Sequence, residues 1–113
     1  MVALIWRDAS ATRTWLKQRV TSDSDSSVRG AAIPELARGW KEDPDTLPRL
    51  KQRATSDSEA YVRQTAIQEL ARGWKEDPDT LPWLKQLATS DSEAYVRQTA
   101  IQELARGWKE DPL

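Results

Sequence analysis

Carboxylates and hydroxyls are the side chains with which this chain could do chemistry, because its sequence contains neither His nor Cys. The commonest general base and metal ligand, and all thiolate chemistry, are therefore absent. Acidic residues recur as Glu-Asp-Pro-Asp at 42–45 and 76–79, where paired carboxylates could bind a hard cation. Serines recur in Thr-Ser-Asp-Ser at 55–58 and 89–92, with no base to activate them. We therefore predict that both motifs begin and end helices, that the protein is not an enzyme, and that it needs no cofactor or metal.

The elements that carry these motifs belong to an internal repeat. The segment Glu-Leu-Ala-Arg-Gly-Trp-Lys-Glu-Asp-Pro occurs at 35–44, 69–78 and 103–112, at an interval of 34 residues. A fixed period of this length is typical of stacked repeat proteins. We predict a single repeat domain over 1–113. Its predicted parts are the end of a preceding repeat (1–10), repeat 1 (11–44), repeat 2 (45–78) and repeat 3 (79–112). The chain would then be a segment of a longer array.

Repeats 2 and 3 differ at two positions, where Arg49 and Arg53 correspond to Trp83 and Leu87. Such near-identity indicates either recent duplication or an engineered consensus. Trp83 and Leu87 lie one helical turn apart and would form an apolar spot. This spot either binds a partner or another copy of the chain, or fills a groove in its own repeat, and the second alternative is favoured.

Each repeat divides into two helices. The first is predicted from about Asp45, as its N-cap, to Thr55, with a proline in its first turn. The second follows the turn and ends near Trp74, before Asp77-Pro78, because a residue that precedes proline avoids the α region. In repeat 1, Pro34 lies inside the second helix and predicts a kink or irregular turn there.

The apolar face of the second helix indicates how the repeats pack. Val62, Ala66, Leu70 and Trp74 share one side at helical spacing, so we expect this side to be buried. Gly73 lies on the same side and would permit close approach of a neighbouring helix. The tryptophans at this position in the three repeats are expected to serve packing; they are Trp40, Trp74 and Trp108.

An arginine falls on this apolar side in every repeat and requires a partner, since a buried guanidinium is tolerated when it is paired. For Arg63 the candidate is Asp57 in the preceding turn, either within one repeat or between adjacent repeats. We predict a structural ladder of Asp–Arg contacts that joins the turns. The residues of this ladder are Asp23, Arg29, Asp57, Arg63, Asp91 and Arg97.

The motif Asp57, Val62, Arg63, Ala66 and Leu70 resembles the HEAT repeat, especially the short HEAT-like type found in phycobilisome lyases. The same residue types recur at equivalent positions of the other repeats, from Asp23 to Leu36 and from Asp91 to Leu104. The resemblance implies an all-α, right-handed α-solenoid, with the first helices outside and the second helices lining the concave side. Arrays with similar linkers resemble sensor regions of bacterial signalling NTPases, although this chain has no phosphate-binding GxxxxGK motif.

The side of the second helix opposite the tryptophans is expected to be exposed and is our candidate interaction surface. Its amide, aromatic and guanidinium groups suit protein recognition, although an ordinary solvated face is the alternative. The candidate residues are Tyr61, Gln64, Thr65, Gln68, Arg72, Tyr95, Gln98, Thr99, Gln102 and Arg106, together with Trp83 and Leu87.

Several function classes follow from this interpretation. The leading hypothesis is a non-catalytic scaffold that binds a protein or peptide. Nucleic-acid binding through concave arginines is less favoured, because the net charge is −1 and Glu residues are interspersed. A lyase-type accessory role rests on fold analogy alone. Self-association through the repeat ends is compatible with the scaffold. No apolar run reaches membrane-spanning length, so we expect a cytoplasmic protein without membrane contact.

Overall fold

The computed structural model describes the backbone of residues 2–109 and the side chains of residues 10–109. These residues form six α-helices and no strand. The helices are α1 (Val2–Ser22), α2 (Ser26–Gly39), α3 (Thr46–Ser56), α4 (Ala60–Gly73), α5 (Thr80–Ser90) and α6 (Ala94–Gly107). The pairs α1–α2, α3–α4 and α5–α6 each pack as a hairpin. Every hairpin therefore supplies one first helix and one second helix, as the repeat pattern predicts.

The hairpins stack through their second helices. Helix α2 packs along α4 and α4 along α6, whereas α1 and α3 share a smaller contact. The larger contact between the second helices agrees with their predicted place on the concave side, which stays a prediction. The prediction of an all-α helical repeat solenoid is confirmed, and its right-handed sense stays a prediction.

Helix α1 differs from the other first helices in length. It is continuous from Val2 to Ser22, whereas α3 and α5 begin only after a proline-containing linker. The sequence explains this, because residues 8–11 read Asp-Ala-Ser-Ala where the later repeats have Glu-Asp-Pro-Asp. With no proline to exclude the α region, the helix runs on. The assignment of residues 1–10 to a preceding repeat stays a prediction, and the side chain of Trp6 lies outside the described residues.

The linkers between hairpins are held by two buried threonines that the sequence analysis did not single out. The hydroxyl of Thr46 donates to the carbonyl of Trp40 over 2.7 Å, and Thr80 makes the same bond to Trp74. Each bond satisfies a carbonyl at the end of a helix, where no intrahelical donor is available. Asp45 occupies the N-cap position of α3, but its side chain makes no capping hydrogen bond, so that predicted role is wrong.

The core runs along the hairpin interfaces and is aliphatic. The side chains of Leu50, Val62, Ile67 and Leu70 are almost fully buried, as the apolar spacing predicts. The tryptophans at the ends of the second helices are half-buried and pack against this core, which agrees with their predicted packing role, but they are not hidden as the burial of this side predicted. They lie at the C-cap, where the chain leaves the helix. The Lys41 ammonium lies over the Trp74 ring, 5.6 Å from its centroid.

Two predictions about helix backbones in the second helices are corrected. A side-chain carbon built on Gly73 would meet nothing within 4 Å, so this residue does not permit a close helix contact. The close approach occurs instead at Gly30, where such a carbon would lie 3.4 Å from the Tyr61 ring. Helix α2 continues through Pro34, so the predicted irregular turn does not occur there, whereas the kink stays a prediction. Packing of α2 along α4 keeps this segment helical despite the lost backbone bond.

Candidate interaction surface

The Asp–Arg ladder joins adjacent hairpins. Arg29 binds Asp57 of the next hairpin in a bidentate ion pair, with Nε–Oδ2 and Nη2–Oδ1 distances of 2.9 and 3.0 Å. Arg63 binds Asp91 with the same two distances. The sequence left pairing within or between repeats open, and the side-chain pairing proves to be between repeats. Each guanidinium is a planar fork that fits both oxygens of a carboxylate, which fixes the stacking geometry as well as satisfying the charge.

The remaining guanidinium nitrogen of each ladder arginine contacts its own hairpin. Nη1 of Arg29 donates to the backbone carbonyl of Asp23 over 2.8 Å, and Nη1 of Arg63 donates to that of Asp57 over 2.7 Å. Arg97 makes the equivalent bond to Asp91. One arginine therefore ties the turn of its own hairpin to the turn of the next. This double attachment explains why a charged side chain lies on an apolar helix face.

Asp57 and Asp91, the two ladder carboxylates that are paired with an arginine of the preceding hairpin, differ in their additional partners. Burial alone would raise the pKa of Asp57, but hydrogen bonds from Arg29 and from the Glu59 N–H outweigh it, and the pKa is lowered. Asp57 also accepts from Nη1 of Arg53 over 3.0 Å. Burial opposes the lowered pKa of Asp91 in the same way, but Arg63 outweighs it. Among residues 10–109, the Asp91 carboxylate accepts a hydrogen bond from no second arginine, because Leu87 occupies the position of Arg53 in that repeat.

A second set of ion pairs crosses between the second helices. Arg38 donates to Glu69 over 2.9 Å, and Arg72 donates to both oxygens of Glu103. The two carboxylates are buried, while the arginines are at least half-exposed. Burial alone would raise the pKa of Glu103, but hydrogen bonds from Arg72 and Arg106 lower it. The sequence analysis missed both glutamates. Their signal was the recurrence of Glu three residues before each Arg on one helix face.

Several residues of the candidate surface also join hairpins. The Tyr61 hydroxyl donates to Ser26 over 2.9 Å, and the Gln64 amide donates to the Thr99 hydroxyl over 2.8 Å. Thr99 is only 3% exposed, so the expectation of an exposed Thr99 is wrong. Thr65 is half-buried and its hydroxyl bonds to the carbonyl of Tyr61 in its own helix. These contacts orient the second helices relative to each other.

Six of the candidate residues form two matching groups on α4 and α6, which we call the display row. Tyr61 and Tyr95 are 39% and 40% exposed, and Gln102 is exposed while Gln68 is half-buried. Gln98 is exposed beside the row on α6. The members of the display row are Tyr61, Gln68 and Arg72 on α4, and Tyr95, Gln102 and Arg106 on α6.

Trp83 and Leu87 do not form an exposed apolar spot. Leu87 is buried in the core of its own hairpin, and Trp83 is half-buried against that core. Nζ of Lys51 lies 5.9 Å from the Trp83 ring centroid, which covers part of the indole. The corresponding Arg49 points instead to α1, where its Nη1 donates to the Thr21 hydroxyl over 2.6 Å. The favoured alternative, packing within the repeat, describes these positions better than a partner site.

The acidic motifs of the linkers act on the local backbone. Oδ1 of Asp43 accepts from the N–H of Asp45, and Asp77 accepts from that of Asp79. Oδ2 of Asp43 also lies 2.9 Å from Nζ of Lys17. In the described part of the chain, no group of three or more acidic residues is placed to hold a metal ion. None of the helices in residues 2–109 is both long enough and apolar enough to cross a bilayer.

Comparison with known proteins yields one finding. A family model described as HEAT repeats matches residues 7–105, which include the whole ladder and all of the display row except Arg106. No curated protein and no solved structure matches the chain significantly.

Proposed function

The chain belongs to the HEAT repeat family, whose members generally serve as protein-interaction scaffolds, and from this premise we propose that the display row binds a protein or peptide partner. The observation that carries the proposal is the recurrence of one exposed Tyr, one Gln and one Arg at the same three positions of adjacent second helices. Tyr and Arg are the residues most often found at the energetic centres of interfaces. The family is generally non-catalytic, which agrees with a binding role.

Rigidity of the surface supports this proposal. The display row stands on helices that are joined by two ladder ion pairs, the Arg38–Glu69 and Arg72–Glu103 pairs and the Gln64–Thr99 hydrogen bond. A partner would therefore meet side chains whose spacing is already set. Preorganisation of this kind lowers the entropy cost of association.

The charge of the display row indicates the chemistry of the partner. Arg72 and Arg106 present half-exposed guanidinium groups, whereas their carboxylate partner Glu103 is buried beneath them. A ligand on this side therefore meets donors and aromatic faces first. We expect a peptide segment with neutral carbonyl acceptors for the arginines and apolar groups that pack on the tyrosines.

Nucleic acid is a weaker candidate for the same surface. Arg38 and Arg72 each lie within 3.0 Å of a glutamate oxygen, which neutralises the charge that a phosphate would need. Affinity for nucleic acid depends strongly on arginine and lysine contacts to phosphates. A gel shift at low salt tests this alternative, and nucleic-acid binding with a loss of peptide binding would replace the present proposal.

Selection from a random-peptide phage library, followed by NMR titration of the labelled chain with a selected peptide, tests the proposed surface. We expect amide shifts at α4 and α6 around the display row. The double variant Tyr95→Ala, Gln102→Ala should weaken binding at least tenfold, because both side chains are exposed and neither bridges hairpins. Tyr95 serves better than Tyr61 here, since Tyr61 also contacts Ser26.

The matched control is the double variant Gln52→Ala, Gln86→Ala, which alters exposed residues of the first helices and should bind like the original chain. Peptide shifts confined to α3 and α5, or equal binding by both double variants, would show that the display row is not the binding surface. The cytoplasmic location and the relation to a sensor region stay predictions of the sequence.

A further inference from the structure

Three equivalent isoleucines have very different exposures. Ile33 on α2 and Ile67 on α4 are fully buried, whereas Ile101 on α6 is 54% exposed. The first two are covered by the second helix of the next hairpin, and no described helix covers the third. The neighbouring Ala105 is also exposed, while its equivalent Ala71 is buried. Helix α6 thus presents the same docking face that α2 and α4 use inside the stack.

The arginines of this face are also without their usual partners. Arg29 and Arg63 each bind the carboxylate of the next hairpin, but Arg97 has no acidic side-chain partner among residues 10–109. Arg106 folds back onto Glu103 of its own helix, where Arg38 and Arg72 reach across to the next helix. We call the surface of Arg97, Ile101, Ala105 and Arg106 the α6 face.

The opposite end of the stack carries the complementary residues, which we call the α1/α2 face. Asp23 and Glu35 occupy the positions of Asp57 and Glu69, which accept arginines from the preceding hairpin inside the stack. Next to Glu35 lies an apolar cleft of about 170 Å³, lined mainly by Trp15, Val28 and Ala31, and by Arg19, which binds Asp23. This cleft offers space for an isoleucine side chain beside Glu35.

Asp23 is already arranged to accept an incoming guanidinium. Its Oδ1 accepts the N–H of Asp25 over 2.9 Å and its Oδ2 accepts Nη1 of Arg19 over 3.1 Å. Asp57 makes the same two bonds, to the N–H of Glu59 and to Arg53, and accepts Arg29 in addition. Asp23 therefore has the same contacts as Asp57 except for the ion pair that Asp57 makes with an arginine of the preceding hairpin.

We propose that the α6 face binds the α1/α2 face of a second copy of this chain, so that copies associate head to tail. Arg97 pairs with Asp23 of the second copy, Arg106 pairs with its Glu35, and Ile101 enters its apolar cleft. The contact repeats the stacking inside the chain and keeps both of its ion pairs. The inference does not rest on the proposed peptide binding: the two surfaces share Arg106, but Ile101 and Ala31, on which the test depends, lie outside the display row.

The contact between copies is expected to be weaker than the contacts inside the chain. The hydrogen bond from Gln64 to Thr99 cannot be repeated, because the residue that corresponds to Thr99 in the first hairpin is Ala31. The bond from Tyr61 to Ser26 is also lost, because Ser27 replaces the tyrosine at that position. A head-to-tail contact that does not close into a ring produces open chains of copies.

A mixing experiment with two blocked variants tests this arrangement. Ile101→Glu places a negative charge on the α6 face and Ala31→Glu places one in the α1/α2 cleft, so the two blocked faces repel each other; both positions are exposed, so folding is not expected to change. In analytical ultracentrifugation up to about 1 mM, the original chain should gain mass with concentration. Each variant alone should remain monomeric. Their equimolar mixture should form a dimer and nothing larger, since one intact interface remains.

Other results would overturn the proposal. An original chain that stays monomeric to about 1 mM, or a mixture that stays monomeric while the original chain associates, excludes the head-to-tail contact. Self-association of Ala31→Glu alone would show instead that two α6 faces bind each other. The variant Gln52→Glu, which adds a charge on the outside of α3, serves as the control and should associate like the original chain. Arg97→Gln should weaken the association about tenfold.

Discussion

Replacing Arg63 by Ala removes three hydrogen bonds, of which two join the second hairpin to the third and one lies within the second hairpin. Two of them go to Asp91, at 2.9 and 3.0 Å, and one goes to the carbonyl of Asp57 at 2.7 Å. Arg63 is 8% exposed and the Asp91 carboxylate is nearly buried, so the variant leaves an acidic group without its main partner. Breaking a buried pair in this way costs about 3–5 kcal/mol, and the partial exposure favours the lower end, about 3 kcal/mol.

The near-identity of the repeats provides a matched comparison at Arg29. Arg29→Ala leaves Asp57 in the same position, but Asp57 keeps the hydrogen bond from Arg53 over 3.0 Å, whereas Leu87 stands at the equivalent position beside Asp91. One retained charge-assisted hydrogen bond is worth roughly 1–2 kcal/mol, so Arg29→Ala should cost about 2 kcal/mol. The cost of the two substitutions should therefore differ although the two ion pairs have equal lengths.

Urea unfolding followed by circular dichroism measures these free energies. A transition that broadens in Arg63→Ala would indicate that the third hairpin unfolds separately, which repeat proteins permit. The control is Arg97→Ala, which loses only a bond to a backbone carbonyl and should cost about 1 kcal/mol. In a chain that already carries Arg53→Leu, Arg29→Ala should cost as much free energy as Arg63→Ala, because Asp57 then keeps no arginine. Equal costs at Arg29 and Arg63, or an unchanged cost after Arg53→Leu, would refute the argument from retained partners.

Three further predictions follow from the same contacts. Asp57 and Asp91 have lowered pKa values, because their arginine partners outweigh the opposing effect of burial; their stabilisation is present above the ordinary Asp pKa of 3.8 and is lost as the pH falls through their lower folded-state pKa values, and Asp91→Asn should flatten this decline in acid unfolding curves. Ile67→Ala should cost about 2–4 kcal/mol in urea unfolding, whereas Ile101→Ala in the monomer should cost under about 1 kcal/mol, because Ile67 is buried and Ile101 is exposed. Gly73→Ala should stabilise the fold by about 0.5–1 kcal/mol, since nothing lies within 4 Å of its added carbon. Gly30→Ala should stabilise it less, because the Tyr61 ring lies 3.4 Å from the added carbon, and thermal melting of the two variants measures the difference.

Local pattern was sufficient to predict the helices and most of the core. The positions Val62, Ala66 and Leu70 follow the helical period, and all three are buried. The period also placed an arginine on this side. Because burying an unpaired charge is costly, this position predicted that the arginine is paired, without identifying its partner. The prediction failed at Trp74, where the helix ends and the helical period no longer determines which way a side chain points.

The candidate surface was predicted less completely than the core. Helical spacing placed Tyr61, Gln64 and Thr99 on one face, but spacing within a helix does not reveal where a neighbouring helix lies. Gln64 and Thr99 proved to bond to each other across two hairpins. The buried glutamates Glu69 and Glu103 were missed for the same reason, since their partners are 31 residues away in the sequence.

The sequence by itself determined the repeat, the two helices of each unit and the need for arginine partners, because these follow from periodicity and from the cost of desolvating charge. Only the tertiary structure decided that Arg29 and Arg63 bind the aspartate of the next hairpin, and that Ile101 is exposed where Ile67 is buried. The physical reason is that repeats 2 and 3 carry the same residues in the same order at these positions. Their different environments arise from which hairpin stacks on which, and this arrangement is a property of the stack rather than of any single repeat.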